Sequence, residues 1–405
     1  MTDQAGARVR RVIESPAFRI AAATLAREHD RTVGDIVTLT ETESPPFKEK
    51  NRAERWMAMA REHGLEGVEI DAEGNVTGIR RGIGNGRLIC VAAHLDTVFP
   101  EGTNVTVRRE GTKLFAPGIG DDTRSLSVLL AWLRAMDAAA IETRADILFV
   151  ADVGEEGLGD LRGVRHLFTQ GRYKDRISAF ITVDSPDMDR IVTGGVGSKR
   201  YRVTFQGPGG HSYGAFGVVN PMFAMADAVV RLGRLALPAS PKTTCCASVT
   251  GGGTSINAIP NAVWMEFDLR SESAAQLAIL EQDFFTLLGE AVAAENAVRS
   301  VRNGHITYRV EPIGNRPAGH TAESEELVQL ARAAIEAHGI GTTFEYSSTD
   351  ANIPMSLGIP AIRIGSGGTG GRAHSLEEWI DVEPEESVRG MTAGLAAVLA
   401  VAEMV

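Results

Sequence analysis

The residues best suited to chemistry are histidines and carboxylates that close apolar runs. His94 and Asp96 follow the run 88–93. Side chains two apart on a strand share a face, and open α/β sheets place their ligands at the C-terminal ends of strands. The pair suits a metal-binding imidazole whose second ring nitrogen is fixed by a carboxylate; a hydrogen-bonded histidine at a strand end is the plainer alternative. Asp121 and Asp122 end the loop Ala116-Pro-Gly-Ile-Gly-Asp-Asp. Asp122 is placed to cap the helix that follows, which leaves Asp121 to point elsewhere. Glu155 and Glu156 lie beyond another apolar run. Two such carboxylates need water, a cation or a proton, and one ligand beside one general base is what a metal hydrolase requires. A solvated loop is the alternative there. Asp184 closes the run 179–183, and His374 follows the glycine-rich loop 365–371. Of nine histidines, only His94, His211 and His374 have such settings. His94, Asp121, Glu156, Asp184 and His374 together form a mixed nitrogen and oxygen set that suits two borderline divalent cations, one carboxylate bridging.

The elements that must position these residues are legible as texture. The chain reads as mostly helical up to His63, with apolar residues at helical spacing over 49–63. Short apolar runs at 88–93, 146–151 and 179–183 read as strands buried on both faces. Helical stretches at 125–137 and 161–168 alternate with them, and 361–364 and the alanine-rich end from Ser387 continue the pattern. Alternation of this kind predicts an α/β domain with a mainly parallel central sheet. The middle differs. Strands at 199–206, 242–250, 261–270 and 305–311 and helices at 220–235 and 274–295 come in the order βαββαβ, the ferredoxin-like pattern. The expected organisation is a first domain made of 1–195 and 314–405, with a second, 196–313, inserted into it.

Composition narrows the function. Apolar residues make up 43% and charged residues 23%, ordinary globular values that exclude a disordered chain or a disulfide scaffold. A net charge of −11 argues against nucleic acid or an anionic membrane as partner. Three cysteines, two of them adjacent and none in a CxxC pattern, fit a reducing compartment and no cysteine-built metal site. The start, MTDQAGARVRR, has no apolar core of a signal peptide, and no run reaches membrane-spanning length. The expectation is a soluble cytoplasmic protein.

The motifs HLDT, PGIGDD, GEEG, VDSP, GGHS, Asn-x-Ile-Pro and AHS occur in one order between His94 and Asp381. As a set they resemble the peptidase T, carboxypeptidase G, acetylornithine deacetylase and aminoacylase family of co-catalytic metallohydrolases. The resemblance implies a metallopeptidase-type catalytic domain and makes the inserted domain a lid that also dimerises. It implies that His94 and Asp184 hold one metal, that Glu156 and His374 hold the other, and that Asp121 bridges them across a cis Asp121–Asp122 peptide bond. Glu155 would be the general base and Asp96 would orient His94. His211 would reach the active site of the partner subunit and stabilise the oxyanion. Asn257 and Arg270 resemble the substrate clamp; without the resemblance, Arg270 reads as an exposed strand charge. Arg372 and Tyr213, two residues from His374 and His211, are further candidates to face the substrate, with loop charge and loop aromatic as alternatives. One departure is visible: many relatives have Lys-Gly-Gly after Asp-Asp, where this chain has Thr123-Arg124-Ser125. That puts the local helix packing in doubt.

The resulting expectation is hydrolysis of an amide-type C–N bond in a small substrate with a carboxylate, such as a short peptide or N-acyl amino acid. Two divalent metals serve it, zinc first, with manganese or cobalt as alternatives and one site allowed to be empty. The expected assembly is a homodimer through the lid. A metal-dependent aminohydrolase, acting for example on a nitroaromatic amine, is the alternative. A third reading comes from Gly210-His-Ser-Tyr-Gly214, which fits the serine-hydrolase pattern G-x-S-x-G, with Asp350 and His374 following in order. It would make Ser212 the nucleophile. However, Pro208-Gly-Gly separates the motif from its strand, and Asp121, Glu155, Glu156 and Asp184 are left unexplained. A non-catalytic binding protein would be expected to lose Glu155, which is present.

Overall fold

The computed structural model describes residues 2–84 and 86–405. The chain divides into two units, Met1–Gly195 with His320–Val405, and Val196–Gly319.

The first unit opens with four helices, Thr2–Glu14, Pro16–Arg27, His29–Thr40 and Lys50–Ala60. The second starts cleanly because Ser15 caps it, its Oγ accepting the Phe18 N–H at 3.1 Å, with Pro16 in the first turn. The central sheet runs Glu66–Ile70, Val76–Arg80, Asp146–Asp152, Leu88–His94, Ile177–Val183, Ala361–Ile364 and Arg190–Gly195, with Thr343–Ser347 also paired to the last. Its middle is parallel: Leu88–His94 pairs in that sense with Asp146–Asp152 and Ile177–Val183, and Ala361–Ile364 with Ile177–Val183. The first two strands join antiparallel.

Leu88–His94 is buried along its whole length, and the pleat sends alternate residues into two cores. Ile89, Val91 and Ala93 join a core with Leu126, Leu133, Leu395 and Leu399 from the helices Arg124–Ala138 and Pro384–Val401. Leu88, Cys90 and Ala92 join another with Val164, Leu167 and Phe168 from Arg162–Thr169. Sandwiching between helices is why this strand reads as a continuous apolar run. Truncating one of its large neighbours, such as Leu129 at 0% exposure, costs ~2–5 kcal/mol. A small antiparallel sheet of Thr369–Gly371, Trp379–Asp381, Lys113–Phe115 and Arg108–Glu110 completes the unit.

The second unit has the order strand Gly197–Gln206, helix Pro221–Leu232, strands Thr243–Gly252 and Ala262–Ser271, helix Ala274–Val298 and strand Thr307–Arg316. The sheet order is Thr243–Gly252, Ala262–Ser271, Gly197–Gln206, Thr307–Arg316, with every neighbour antiparallel. Caps again explain the helix starts: Asn220 Oδ1 accepts the Met222 N–H at 3.0 Å, and Ser273 Oγ accepts the Gln276 N–H at 3.3 Å. The unit continues to Gly319 rather than stopping at 313, because its last strand runs to Arg316. Among the described residues, no helix is long and apolar enough to cross a membrane.

Candidate metal centre

The first unit brings His94, Asp96, Asp121, Asp122, Glu155, Glu156, Asp184 and His374 to neighbouring chain ends. His94 closes its strand at 1% exposure. Its Nε2 lies 2.9 Å from Asp121 Oδ1, and its Nδ1 lies 3.1 Å from the Asp96 carbonyl oxygen and 3.7 Å from Asp96 Oδ1. His374 Nε2 lies 2.8 Å from Glu156 Oε1 and 3.1 Å from Asp121 Oδ2. Asp121 therefore stands between the two histidines, one oxygen toward each. Ligand atoms of His94, Asp121 and Glu156 lie within 4.8 Å of one another, as do those of His94, Asp122 and Asp184.

Local backbone geometry delivers these side chains. Gly118 has φ 75°, and a Cβ there would meet Thr97 Cγ2 at 2.5 Å, so the loop before Asp121 needs glycine. The Asp121–Asp122 peptide bond is cis. Gly154, at φ 70°, turns the chain from Asp146–Asp152 into Glu155 and Glu156; a Cβ would strike Arg162 at 2.5 Å. Arg372 and His374 have φ 60° and 62°, left-handed backbone that is strained for residues with side chains. Such strain is a pointer to function when it falls on a ligand.

Asp96 is fully buried, and its carboxylate accepts the N–H of Glu155 at 3.0 Å and of Glu156 at 2.8 Å. Burial alone would raise its pKa, but the His94 ring and those two N–H groups prevail and lower it. Burial likewise opposes ionisation of Asp121, and the two histidines overcome it, holding the carboxyl well below the usual range. His374 is pushed up to about 11, by its bonds to Asp121 and then Glu156. Burial pulls the His94 ring toward neutrality, yet Asp121 and Asp96 raise its pKa well above the ordinary value. Glu156 and Asp184 are raised, first by burial and also by the charge of Asp121. Asp122 is raised too, burial first; its Oδ2 accepts the His94 N–H at 3.2 Å, while its Oδ1 is buried with no hydrogen-bond partner among the described residues. A pocket of acids that draws positive charge this strongly onto imidazoles, with one buried oxygen unsatisfied, fits divalent cations held by nitrogen and oxygen donors.

Two residues that sequence reasoning passed over belong here. Arg52 is fully buried, donates from Nη1 to the Leu95 carbonyl at 2.7 Å and from Nε to the Thr42 carbonyl at 2.9 Å, and faces the charges of Asp96 and Asp122. Burial lowers it to about 10, so it remains a cation beneath the acids. Glu378 accepts three backbone N–H groups from the loop that carries Asp121. The Thr123-Arg124-Ser125 departure is accommodated by packing. Thr123 Oγ1 bonds the Gly118 carbonyl at 2.8 Å and Thr40 Oγ1 at 2.7 Å, and buried Arg124 donates to Ser387 Oγ at 3.0 Å.

The remaining candidates lie in the second unit, except Arg372, which is exposed in the first. His211 sits in the short strand Gly210–His211, paired with Ala258–Ile259. Its Nδ1 accepts the N–H groups of Tyr213 and Gly214, both at 3.2 Å, which assigns the ring proton of the neutral form to Nε2. Tyr213 is 88% exposed. The Asn257 carbonyl accepts the Ser212 N–H at 2.9 Å, and its Oδ1 accepts from Ser255 Oγ at 2.6 Å. Arg270 is half-buried and its Nε donates to Asp268 Oδ2 at 2.7 Å, so it is a paired strand cation rather than an isolated one. Asp350, the acid of the serine-hydrolase reading, is buried beside Asp152; burial and then the charge of Asp152 raise its pKa, while burial raises Asp152 to about 7 against its hydrogen bond with Asp350. Since His374 is turned to Asp121 and Glu156, that triad is not assembled.

The sequence pattern of peptidase family M20/M25/M40 matches residues 90–403. The chain belongs to this family. It is an enzyme of the metallohydrolase class, and the ligand-type residues above all fall within the matched span. Comparison with curated proteins finds no match. Several solved structures share the fold. The aminopeptidase PepT from Bacillus cereus is 20% identical, with 93% of this chain and 99% of that one covered at a TM-score of 0.75. A tripeptidase from Staphylococcus aureus is 18% identical, with 92% and 99% covered at 0.73. A dinuclear metal-binding family M20 peptidase from Bacillus subtilis is 15% identical, with 92% and 99% covered at 0.68. The M20 chain thus has the α/β architecture and metallohydrolase class anticipated from its motifs.

Proposed function

We propose that this M20 protein hydrolyses an amide-type C–N bond in a small substrate bearing a carboxylate, with a short peptide or N-acyl amino acid as default. The observation that carries the reading is the His94–Asp121–His374–Glu156 chain, with the backbone of Glu155, next to Glu156 in the sequence, gripped by Asp96. His94 and Asp184 would hold one divalent cation, Glu156 and His374 a second, and Asp121 both; zinc is first, manganese or cobalt next, and one site can be empty. Such ions supply Lewis acidity and make water acidic enough to lose a proton near neutral pH. Glu155 takes the proton of the attacking water and returns it to the leaving nitrogen. Asp96 keeps both glutamates in place through their N–H groups and steadies the His94 ring.

The Nε2–H of His211 is a ready donor to an oxyanion, and in this reading it serves the neighbouring subunit of a homodimer. Strand Thr243–Gly252 at the edge of its sheet, with exposed Val249, and exposed Met222 and Phe223 on helix Pro221–Leu232, supports assembly through the second unit. Asn257 and Arg270 then bind the substrate carboxylate, with Arg372 and Tyr213 near it. Three free cysteines fit a cytoplasmic location. The test is metal analysis together with activity against dipeptides, tripeptides, N-acyl amino acids and aromatic amines. A chelator should abolish turnover and a serine-directed fluorophosphonate should not. Ammonia release from an aromatic amine, with peptides untouched, would replace amide hydrolysis by aminohydrolysis.

A further inference from the structure

Glu378 lies four residues beyond His374 and has no part in the chemistry above. Its side chain is 2% exposed. Both oxygens are nevertheless engaged. Oε1 accepts the N–H of Gly120 at 2.7 Å and of Asp121 at 2.9 Å, and Oε2 accepts the N–H of Gly118 at 3.0 Å. The backbone joins in: the Glu378 carbonyl accepts the Ala116 N–H at 3.1 Å, and the adjoining strand Trp379–Asp381 pairs antiparallel with Lys113–Phe115. A Cβ at Gly120 would come within 3.2 Å of Glu378 Oε1, so glycine there lets the carboxylate reach the chain.

A buried carboxyl group is costly unless its lone pairs are filled, and here backbone N–H groups fill them. Three of them on one side chain fix the path of the loop from Gly118 to Asp121. That loop ends in the carboxylate placed between His94 and His374. The same short segment, residues 374–378, therefore supplies one ligand directly and holds the backbone of another. Neither end needs the other for sequence reasons, since 257 residues separate Asp121 from Glu378.

We infer that Glu378 is a positioning residue of the metal centre: it holds Asp121 and His374 in register, so that a divalent cation meets a ligand pair already assembled. The inference rests on the metal-centre reading above. It differs from a plain loop staple in predicting an effect on the bound ion itself. Outer partners of metal ligands typically carry ~10–100-fold in affinity.

The experiment is a cobalt(II) titration of metal-free protein against a chromogenic chelator, with the visible spectrum of the bound ion recorded in parallel. Glu378→Gln keeps the shape but turns one acceptor oxygen into a donor facing an N–H. It should bind cobalt ~10–100-fold more weakly and with an altered spectrum. Glu378→Asp, one methylene shorter, should show the same effect in smaller measure and serves if the glutamine variant does not fold. Glu295→Gln is the control. Glu295 is also buried and accepts the Asn220 N–H at 2.9 Å, but it lies in the second unit, and its loss should leave affinity and spectrum unchanged. Wild-type affinity and spectrum in a folded Glu378 variant would overturn the inference. Failure of the unmodified protein to bind cobalt would instead defeat the metal-centre reading.

Discussion

Asp96 holds Glu155 by its backbone and not by its carboxylate: Asp96 Oδ1 accepts the Glu155 N–H at 3.0 Å. The same side chain takes the Glu156 N–H at 2.8 Å with its other oxygen. One buried acid thus sets the direction of two neighbouring glutamates while leaving both of their carboxylates to other work.

That arrangement separates two roles that adjacent residues could otherwise share. Glu155→Ala should retain metal yet lose turnover by at least ~10²–10⁴-fold, the usual worth of positioned proton transfer. Glu156→Ala should lose metal along with activity, since Glu156 Oε1 meets His374 Nε2. Metal content by atomic emission, measured beside kcat, decides it. Near-normal turnover of Glu155→Ala would reassign the base.

The imidazole of His211 presents its Nε2 proton because two backbone N–H groups occupy Nδ1. If that proton serves a neighbouring subunit, Glu155→Ala and His211→Ala proteins, each inactive, should regain part of the activity when mixed and allowed to exchange subunits. Mass spectrometry would establish the exchange. No recovery despite proven exchange, or a fully active monomer, rules the arrangement out.

Arg270 is the candidate reader of the substrate carboxylate. Its guanidinium is steadied by Asp268 from the same strand face, two residues away. Arg270→Ala should lower kcat/KM by ~10²-fold for a carboxylate substrate, in line with ~2–5 kcal/mol for losing one partner of a desolvated charge pair. The loss should be much smaller for the amidated analogue. Arg270→Lys, which keeps charge without the planar fork, should fall between. Equal losses for acid and amide would transfer the role to Arg372.

Stability should carry a signature of His29. This ring is 7% exposed, and burial followed by the charge of Arg124 lowers its pKa below 6.5. The unfolded chain therefore takes up the proton first as pH falls, and folding free energy is lost downward from about pH 6.5 until the folded pKa is passed. The slope from this one group is at most ~1.4 kcal/mol per pH unit. Urea unfolding in chelator at several values between pH 5 and 8 should show a steeper acid slope for the natural protein than for His29→Gln. Parallel curves would mean that the ring titrates alike in both states.

The ligand-type residues were legible because strand ends and two-residue periodicity mark them: His94 and Asp96 follow an apolar run, and so do Glu156 and Asp184. Arg52 and Glu378 were not, for a physical reason. Arg52 sits in a charged helix where nothing local shows that it is fully buried, and Glu378 is one of two adjacent glutamates, of which only tertiary packing selects the second. The Asp268–Arg270 pair left a readable trace, since residues two apart on a strand share a face. The last strand of the inserted unit, Thr307–Arg316, is mostly exposed, which blurs its alternation in the sequence.

The position of Ala361–Ile364 bears on how the protein is made. This strand fills the place between Ile177–Val183 and Arg190–Gly195, yet it leaves the ribosome long after both. The insert, Val196–Gly319, is contiguous and can fold on emerging, whereas the growing first unit must wait with a slot in its sheet and two unpaired strand edges flanking it. A nascent chain stalled or cut near residue 360 would expose that slot and invite foreign strands, so truncated products should need chaperones or aggregate. His374 arrives later still, after the strand that fills the slot.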